Sequence, residues 1–563
     1  MASPVVDGSG RVSLSFRVGV TGHRHLEHPE TVAADVHDAV DRVIALGPGA
    51  GDSTTPVELT VVSSLANGTD RIVAKELVDR GARLEVILPF PEAEYRKDFE
   101  AEAENAVEAE GSIREFDDLL SKRAHCVVTD SRGSKDNAYY RAGIAVVDRS
   151  DVVITVWNGQ RAKGHGGTAE IVDYARSVAK PLLWIRPELG HHWTEERFGD
   201  DSDEEPRPIS LLSPSALQRL HAFNGAAATL PSATSPPFAD SSLPSPLHTR
   251  FQPFVDFALP FYLRADGQAR RNQSRHRRAS VALYPIAVAA VLCAALQLMF
   301  VASQSGLPLL ASRVLAIAES MLLITILLVI IVGSTSRWHE QWLSCRYLAE
   351  RLRSSVFLAA AGVGEEVHGL RSTGLIADPS DEWVSRAFIE IWSRRPILAV
   401  GDADVGSVQR WLAQEWIDGQ IGYHHSVVKR ASRNELVFRR VSLLFFALGA
   451  VFTALHTIEL FLSGGHSADL TQLFPDDLLS FVSVALPTIA AGVGAYIAHR
   501  EFAQLANRSR HMVARLVESR RLLEQADTVM RIRRSAIAIE QLLRGETSDW
   551  YALVHLHPLE VPV

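Results

Sequence analysis

Four long, nearly uncharged apolar runs constrain this chain more than any other feature: Val281–Ala302, Val314–Val332, Val441–Leu462 and Leu478–Ala498. Each has about the twenty residues that an α-helix needs to cross a hydrocarbon core roughly 30 Å thick. The first lies inside a stretch, Ala279–Ser312, without a charged side chain. The plainer alternative, a set of buried core helices, is disfavoured because one soluble domain rarely holds four such runs. The predicted arrangement is an all-α membrane domain with four transmembrane helices in two hairpins.

Arginine placement orients the hairpins. Arg264, Arg270, Arg271, Arg275, Arg277 and Arg278 precede the first run, and Arg337, Arg346, Arg351 and Arg353 follow the second. Lys429, Arg430, Arg433, Arg439 and Arg440 precede the third, and Arg500, Arg508, Arg510 and Arg515 follow the fourth. The two connectors hold one basic residue, Arg313, between them. By the positive-inside rule the connectors face away from the cytoplasm, and both termini are cytoplasmic. The halves also read as copies. Each has a basic helix, a hairpin and a charged helix carrying R-x4-R-L, at Arg346–Leu352 and Arg510–Leu516, in parallel topology.

At 563 residues the chain is expected to hold three or four structural units. A formal net charge of −9 argues against a chain-wide nucleic-acid binder, which would usually be basic. A mean hydropathy of +0.05 fits a chain partly in lipid. Cys126, Cys293 and Cys345 are far apart and form no CxxC, so neither a disulfide scaffold nor a cysteine-rich metal site is expected. The N-terminal residues lack an apolar core of signal-peptide length.

Residues 14–186 alternate strand and helix patterns. Apolar runs at Leu14–Val20, Val57–Val62, Leu84–Leu88, Cys126–Thr129, Val152–Val156 and Pro181–Ile185 predict a doubly wound parallel α/β sheet. Such sheets bind ligands at the carboxyl ends of their strands. Three polar, glycine-rich loops fall there. Thr21, Gly22, His23 and Arg24 follow strand one; Ser63, Ser64, Asn67, Gly68 and Asp70 follow strand two. Trp157, Asn158 and Gly159 lead to Gly166, Gly167, Thr168 and Glu170, which open a helix. Glycines let backbone N–H groups approach a phosphate, and a helix N-terminus favours its charge. Ser64 and Thr168 are candidate hydroxyl donors, His23 and Arg24 candidate partners of negative charge, and Asp70 a candidate acceptor from a ribose hydroxyl. Trp157 is either a base-stacking platform or a core aromatic, and Glu170 is either functional or a first-turn carboxylate favoured by the helix dipole.

These three loops resemble the SLOG superfamily, Rossmann-like domains related to the LOG phosphoribohydrolases and the DprA proteins. The membrane part resembles tandem SLATT-like two-helix effectors. The resemblance implies a domain sensing a nucleotide-derived signal, ADP-ribose-like or a cyclic nucleotide, and a homo-oligomeric effector that forms a pore or disrupts the bacterial inner membrane in phage defence. Membrane lipid and a nucleotide second messenger are then the partners, without nucleic acid or a firm cofactor. The LOG enzymes carry PGGxGTxxE; Gly167, Thr168 and Glu170 fit it, but the leading proline and spacing do not. The alternative is a membrane-tethered nucleotide or NAD hydrolase using Glu170 and Arg24. A transporter with a regulatory nucleotide domain is disfavoured, because the spans offer few polar residues for a midplane site.

The expected organisation is a sensing domain over 1–190, a Pro/Ser/acid-rich linker over 191–260, a first hairpin unit over 261–360, a cytoplasmic helical segment over 361–419, a second hairpin unit over 420–545, and a tail. Six tryptophans between Trp338 and Trp416 are read as core or interfacial anchors. Glu319 and Glu459 are candidates for an acidic ring at a cation pore mouth; the plainer reading is that each is solvated at the interface.

Overall fold

The computed structural model describes residues 9–47, 54–129, 134–160, 166–187, 193–196, 209, 211–226, 245–300, 307–363, 382–396, 404–462 and 476–555. The chain divides into two compact units, Met1–Ala227 with Ile376–Arg395, and Ala228–Leu375 with Pro396–Val563.

Unit 1 is the α/β unit. Its elements are β1 (Leu14–Gly22), α1 (Pro29–Leu46), β2 (Val57–Ser63), α2 (Thr69–Asp79), β3 (Arg83–Leu88), α3 (Glu92–Glu102) and α4 (Ala106–Ser121). They continue with β4 (Arg123–Val128), α5 (Lys135–Arg149), β5 (Val152–Val156), α6 (Thr168–Ser177), β6 (Leu182–Ile185), β7 (Trp193–Glu196) and α7 (Pro214–Gly225). The sheet order is β4-β3-β2-β1-β5-β6-β7. Every pairing is parallel except β6 with β7. The central strands are near-continuous Val/Ile/Leu runs because helices cover both faces: Val18, Val61, Val86 and Ile154 are all fully buried. α1 and α2 lie on one face, and α5 and α6 on the other. The predicted doubly wound sheet is therefore present, with strand limits close to those read from the sequence. β7 was not anticipated. β4 starts earlier than expected, at Arg123, because an edge strand tolerates polar side chains.

A further helix completes this unit from far along the chain. Glu382–Ser393 is α11 in chain order, after the helices α8–α10 of unit 2. It packs on β1 and α7. Trp383 and Phe223 have ring centroids 5.2 Å apart. Arg386 and Glu390, one turn apart, face the start of β1. Glu390 accepts from Arg17 Nη1 at 2.7 Å, Arg17 Nη2 at 2.8 Å, Ser15 Oγ at 2.7 Å and Arg386 Nε at 3.0 Å. Arg386 also reaches Asp151, and Arg394 reaches Glu58. Burial disfavours a charged Glu390, but Arg17 and Arg386 outweigh it and hold the carboxyl down at about 2. Within the expected cytoplasmic segment 361–419, these residues thus belong to the α/β unit. Within the expected linker 191–260, β7 and α7 do too: Asn224 exchanges hydrogen bonds with both backbone groups of Val12.

Unit 2 is helical. α8 (Ser245–Phe300), α9 (Leu307–Thr335) and α10 (Trp338–Ala360) form its first half. α12 (Val405–Trp411) runs through a π-helical stretch, Leu412–Asp418, into α13 (Gly419–Leu462); α14 (Asp476–Arg500), α15 (Phe502–Glu524) and α16 (Val529–His555) follow. Four helical stretches are long and apolar enough to cross a membrane: His248–Gln297, Leu309–Thr335, Val405–Ile458 and Leu478–Glu524. They correspond to the four runs in the sequence. In each half the second helix breaks at a non-glycine residue in the left-handed region, Arg337 (φ 47°) and Glu501 (φ 43°). These two stand the same number of residues ahead of Arg346 and Arg510. The helix beyond the break then runs beside the first helix, α10 on α8 and α15 on α13. The repeat seen in the sequence is thus matched in backbone geometry. A Cβ on Gly449 would lie 2.7 Å from Pro487, and one on Gly492 would lie 2.4 Å from Val288, so small residues set the approach of α13 to α14 and of α14 to α8. Trp411 and Trp416 pack on Phe357, as anchors of this unit's core.

Candidate anion site at the ends of β1, β2 and β5

β1 lies between β2 and β5, so the chain order reverses there, and the carboxyl ends of these strands frame the crevice where open α/β sheets take ligands. The loops after β1 and β2 clasp each other. The His23 carbonyl accepts from Thr69 N at 3.2 Å and Thr69 Oγ1 at 3.0 Å. Gly68 (φ 74°, ψ −120°) occupies a conformation open essentially to glycine alone, and a Cβ there would sit 2.4 Å from the Arg24 carbonyl oxygen. The loop after β5 is tied in through His23, whose Nε2 accepts from Asn158 N at 3.1 Å. His23 therefore joins two loops, through its ring to Asn158 and through its carbonyl to Thr69.

Arg24 is the cation of this crevice. Its guanidinium lies 4.5 Å over the Tyr139 ring and is ion-paired with Glu102. Tyr139 is fixed in turn by its hydroxyl, which donates to Asp98, and Asp98 also accepts from Lys135 Nζ at 2.8 Å. Burial, then the Asp98 carboxylate, push the Tyr139 phenol well above its ordinary pKa. Asn67 joins the same carboxylate as Arg24: its Nδ2 donates to Glu102 Oε2 at 2.8 Å, and its Oδ1 accepts from Ser112 Oγ at 2.7 Å.

Asp70 faces its own loop. Its carboxylate accepts from Ser63 Oγ at 3.3 Å and Ala66 N at 3.3 Å. Burial raises its pKa to about 6, against the opposing pull of Ala66 N–H and the Arg24 charge. It shapes the loop from inside instead of presenting an oxygen to a ribose. Ser63 also accepts from Leu65 N, while Ser64 is half-buried beside it. Arg71, absent from the sequence reading, holds this loop from beneath: Nε donates to the Leu65 carbonyl at 3.1 Å and Nη1 to the Ser112 carbonyl at 2.9 Å. Leu65 is thereby held at φ 53°. The available signal was a cation in the first turn of a helix, where the dipole disfavours it.

At the third loop Trp157 is the core aromatic of the two readings. It packs with Val147, Val153, Ile171 and Trp184, and its Nε1 donates to the Gln160 carbonyl at 3.0 Å. Asn158 Oδ1 accepts from Gln160 N, and Gly159 has φ 79°. Gly166 (φ 84°) and Gly167 lead into α6, which Thr168 begins. The Glu170 carboxylate accepts from Gly166 N at 2.7 Å, closing the turn that precedes its helix. Gly164 and His165 lie outside the described residues. Thr21 and Gly22 end β1 between these loops, and Arg24 and Asn67, one from each of the first two loops, converge on the Glu102 carboxylate. Glu319 lies half-buried on α9; Glu459 belongs to α13, but its side chain is outside the described residues.

A family model described as a protein of unknown function (DUF4231) matches residues 260–365, from within α8 to just past α10. No curated protein matches the chain.

Proposed function

We propose that this protein is a ligand-controlled membrane effector: unit 1 binds a nucleotide-derived anion at Arg24, Asn67 and the entry to α6, and unit 2 answers by changing membrane permeability. The observation that carries the coupling is covalent. The chain leaves unit 2 after α10, supplies α11 to unit 1, and returns to unit 2 at α12. A change in unit 1 that shifts α11 acts on both ends of a segment joining the two hairpins. A ligand biases such a device only through its different affinity for two states. The resemblance of the three loops to SLOG domains, and of the paired hairpins to SLATT-like units, supports a nucleotide-type signal and an oligomeric pore or membrane-disrupting assembly in the inner membrane of a bacterium defending against phage. The arginine distribution supports cytoplasmic termini. Binding is favoured over hydrolysis because the Glu170 carboxylate is engaged by Gly166 N–H.

The test is dye and ion release from liposomes holding the full chain, with small-molecule extracts of phage-infected cells and with ADP-ribose. Release that requires an extract or ADP-ribose and disappears in Arg24→Ala is the expected result. Tight liposomes under every condition overturn the proposal.

A further inference from the structure

We propose that Glu102 is an internal stand-in for the ligand, an anion that occupies the Arg24–Asn67 subsite until a phosphate group displaces it. This rests on the binding reading of the same crevice. The Glu102 carboxylate is held through both oxygens, one on Arg24 and the other on Asn67 Nδ2 at 2.8 Å. Arg24 comes from the loop after β1 and Asn67 from the loop after β2, the two loops that frame the crevice. Two donors converging on two oxygens of one carboxylate also suit two oxygens of a phosphate.

Glu102 is poorly suited to stay. It is the last residue of α3, where the helix dipole disfavours a carboxylate, and Glu100 and Glu104 flank it. Its side chain is 20 % exposed, so a route to water exists. The receptor, by contrast, does not depend on it. Arg24 rests on Tyr139, which Asp98 fixes, and Asn67 is held by Ser112. The charges around the subsite are Arg24, Lys135 and Arg71 against Glu102, Asp98, Asp70 and Glu115. Exchanging Glu102 for a phosphate therefore replaces one anion with another and leaves the remaining pairs in place. Release of Glu102 frees the end of α3, so occupancy is reported as a movement of the α3–α4 segment.

The experiment is calorimetric titration of the full chain in neutral-lipid nanodiscs with AMP and with inorganic phosphate. Glu102→Gln is expected to bind both at least tenfold more tightly than the native chain, and Glu102→Asp, which keeps the charge, to gain less than threefold. Adding Arg24→Ala to Glu102→Gln is expected to abolish the gain, with thermal melts verifying that each variant is folded. Equal affinity of Glu102→Gln and the native chain overturns the stand-in, while Arg24-dependent AMP binding by both preserves the binding reading. A gain that survives Arg24→Ala overturns the assigned subsite. Absence of phosphate and AMP binding by folded Glu102→Gln overturns both.

Discussion

The two ends of β1 each carry an arginine paired with a glutamate, and they behave as opposites. At the amino end Arg17 and Glu390 are 3 % and 1 % exposed, enclosed by Ser15, Arg386 and Arg394. At the carboxyl end Arg24 and Glu102 are 32 % and 20 % exposed. The first pair is closed: both charges are out of water, inside a cluster that also holds Arg386, Arg394 and Glu85, so losing either unbalances buried charge. The second remains partly hydrated, so breaking it costs less than breaking a buried pair, as the proposed exchange of Glu102 requires. One strand thus joins a buried ion pair to a partly hydrated one, and burial, not residue type, separates them.

The largest way to break this contrast is at Glu390. Glu390→Ala is expected to cost about 3–5 kcal/mol, because it removes the carboxylate at the centre of a buried cluster and leaves Arg17 and Arg386 with only Glu85 and Asp151 as counter-charges; chemical denaturation of the full chain in detergent reads it. The native pair also has a pH signature. A folded pKa held at about 2, below the unfolded value near 4.3, gives stability that is complete above the unfolded value and lost as pH falls towards 2. Glu390→Gln should erase that acid limb.

Next comes Gly68→Ala, expected to cost about 3 kcal/mol from its backbone conformation and the contact with the Arg24 carbonyl. A Gly68→Ala chain as stable as the native one would remove the clasp between the two loops. Asp70→Asn should act in the opposite sense. Its folded pKa is raised to about 6, above the unfolded value near 3.9, so stability declines as pH rises through that interval. The neutral variant should gain up to about 3 kcal/mol at pH 7 and flatten melting temperature against pH between 4 and 6. The smallest effect belongs to Arg24→Ala, about 0–1 kcal/mol in stability, since its ion pair is partly solvated. A loss comparable with Glu390→Ala would equate the two ends and end the comparison.

The sequence made some of this plain and hid the rest for one reason, the range of the interactions. The four apolar runs are local and long, so periodicity alone locates the helices that carry them. The central strands are legible because valine runs buried on both faces leave a continuous mark. Arg24, Asn67 and Gly68 stand out in the sequence as strand-end loop residues because polar and glycine residues following a strand are also a local pattern. Glu102 was not, since in Glu100–Glu110 it is one carboxylate among several, and only the fold brings it to Arg24. α11 was hidden for the same reason: Arg386, Glu390 and Arg394 at helical spacing look like a solvated face until Arg17, distant in sequence, lies against them. Trp157 and Asp70 show the converse limit, because strand-end placement does not reveal whether a side chain faces ligand or core.

The late arrival of α11 also orders the birth of the protein. During synthesis the α/β unit has all its strands well before its last helix exists, and two of the long apolar helices must leave the ribosome in between. At typical translation rates that interval is about ten to thirty seconds. For that time Arg17 waits without Glu390. The α/β unit therefore gains its last helix only after the first pair of long apolar helices has been made, so a complete α/β unit never precedes that pair on the ribosome.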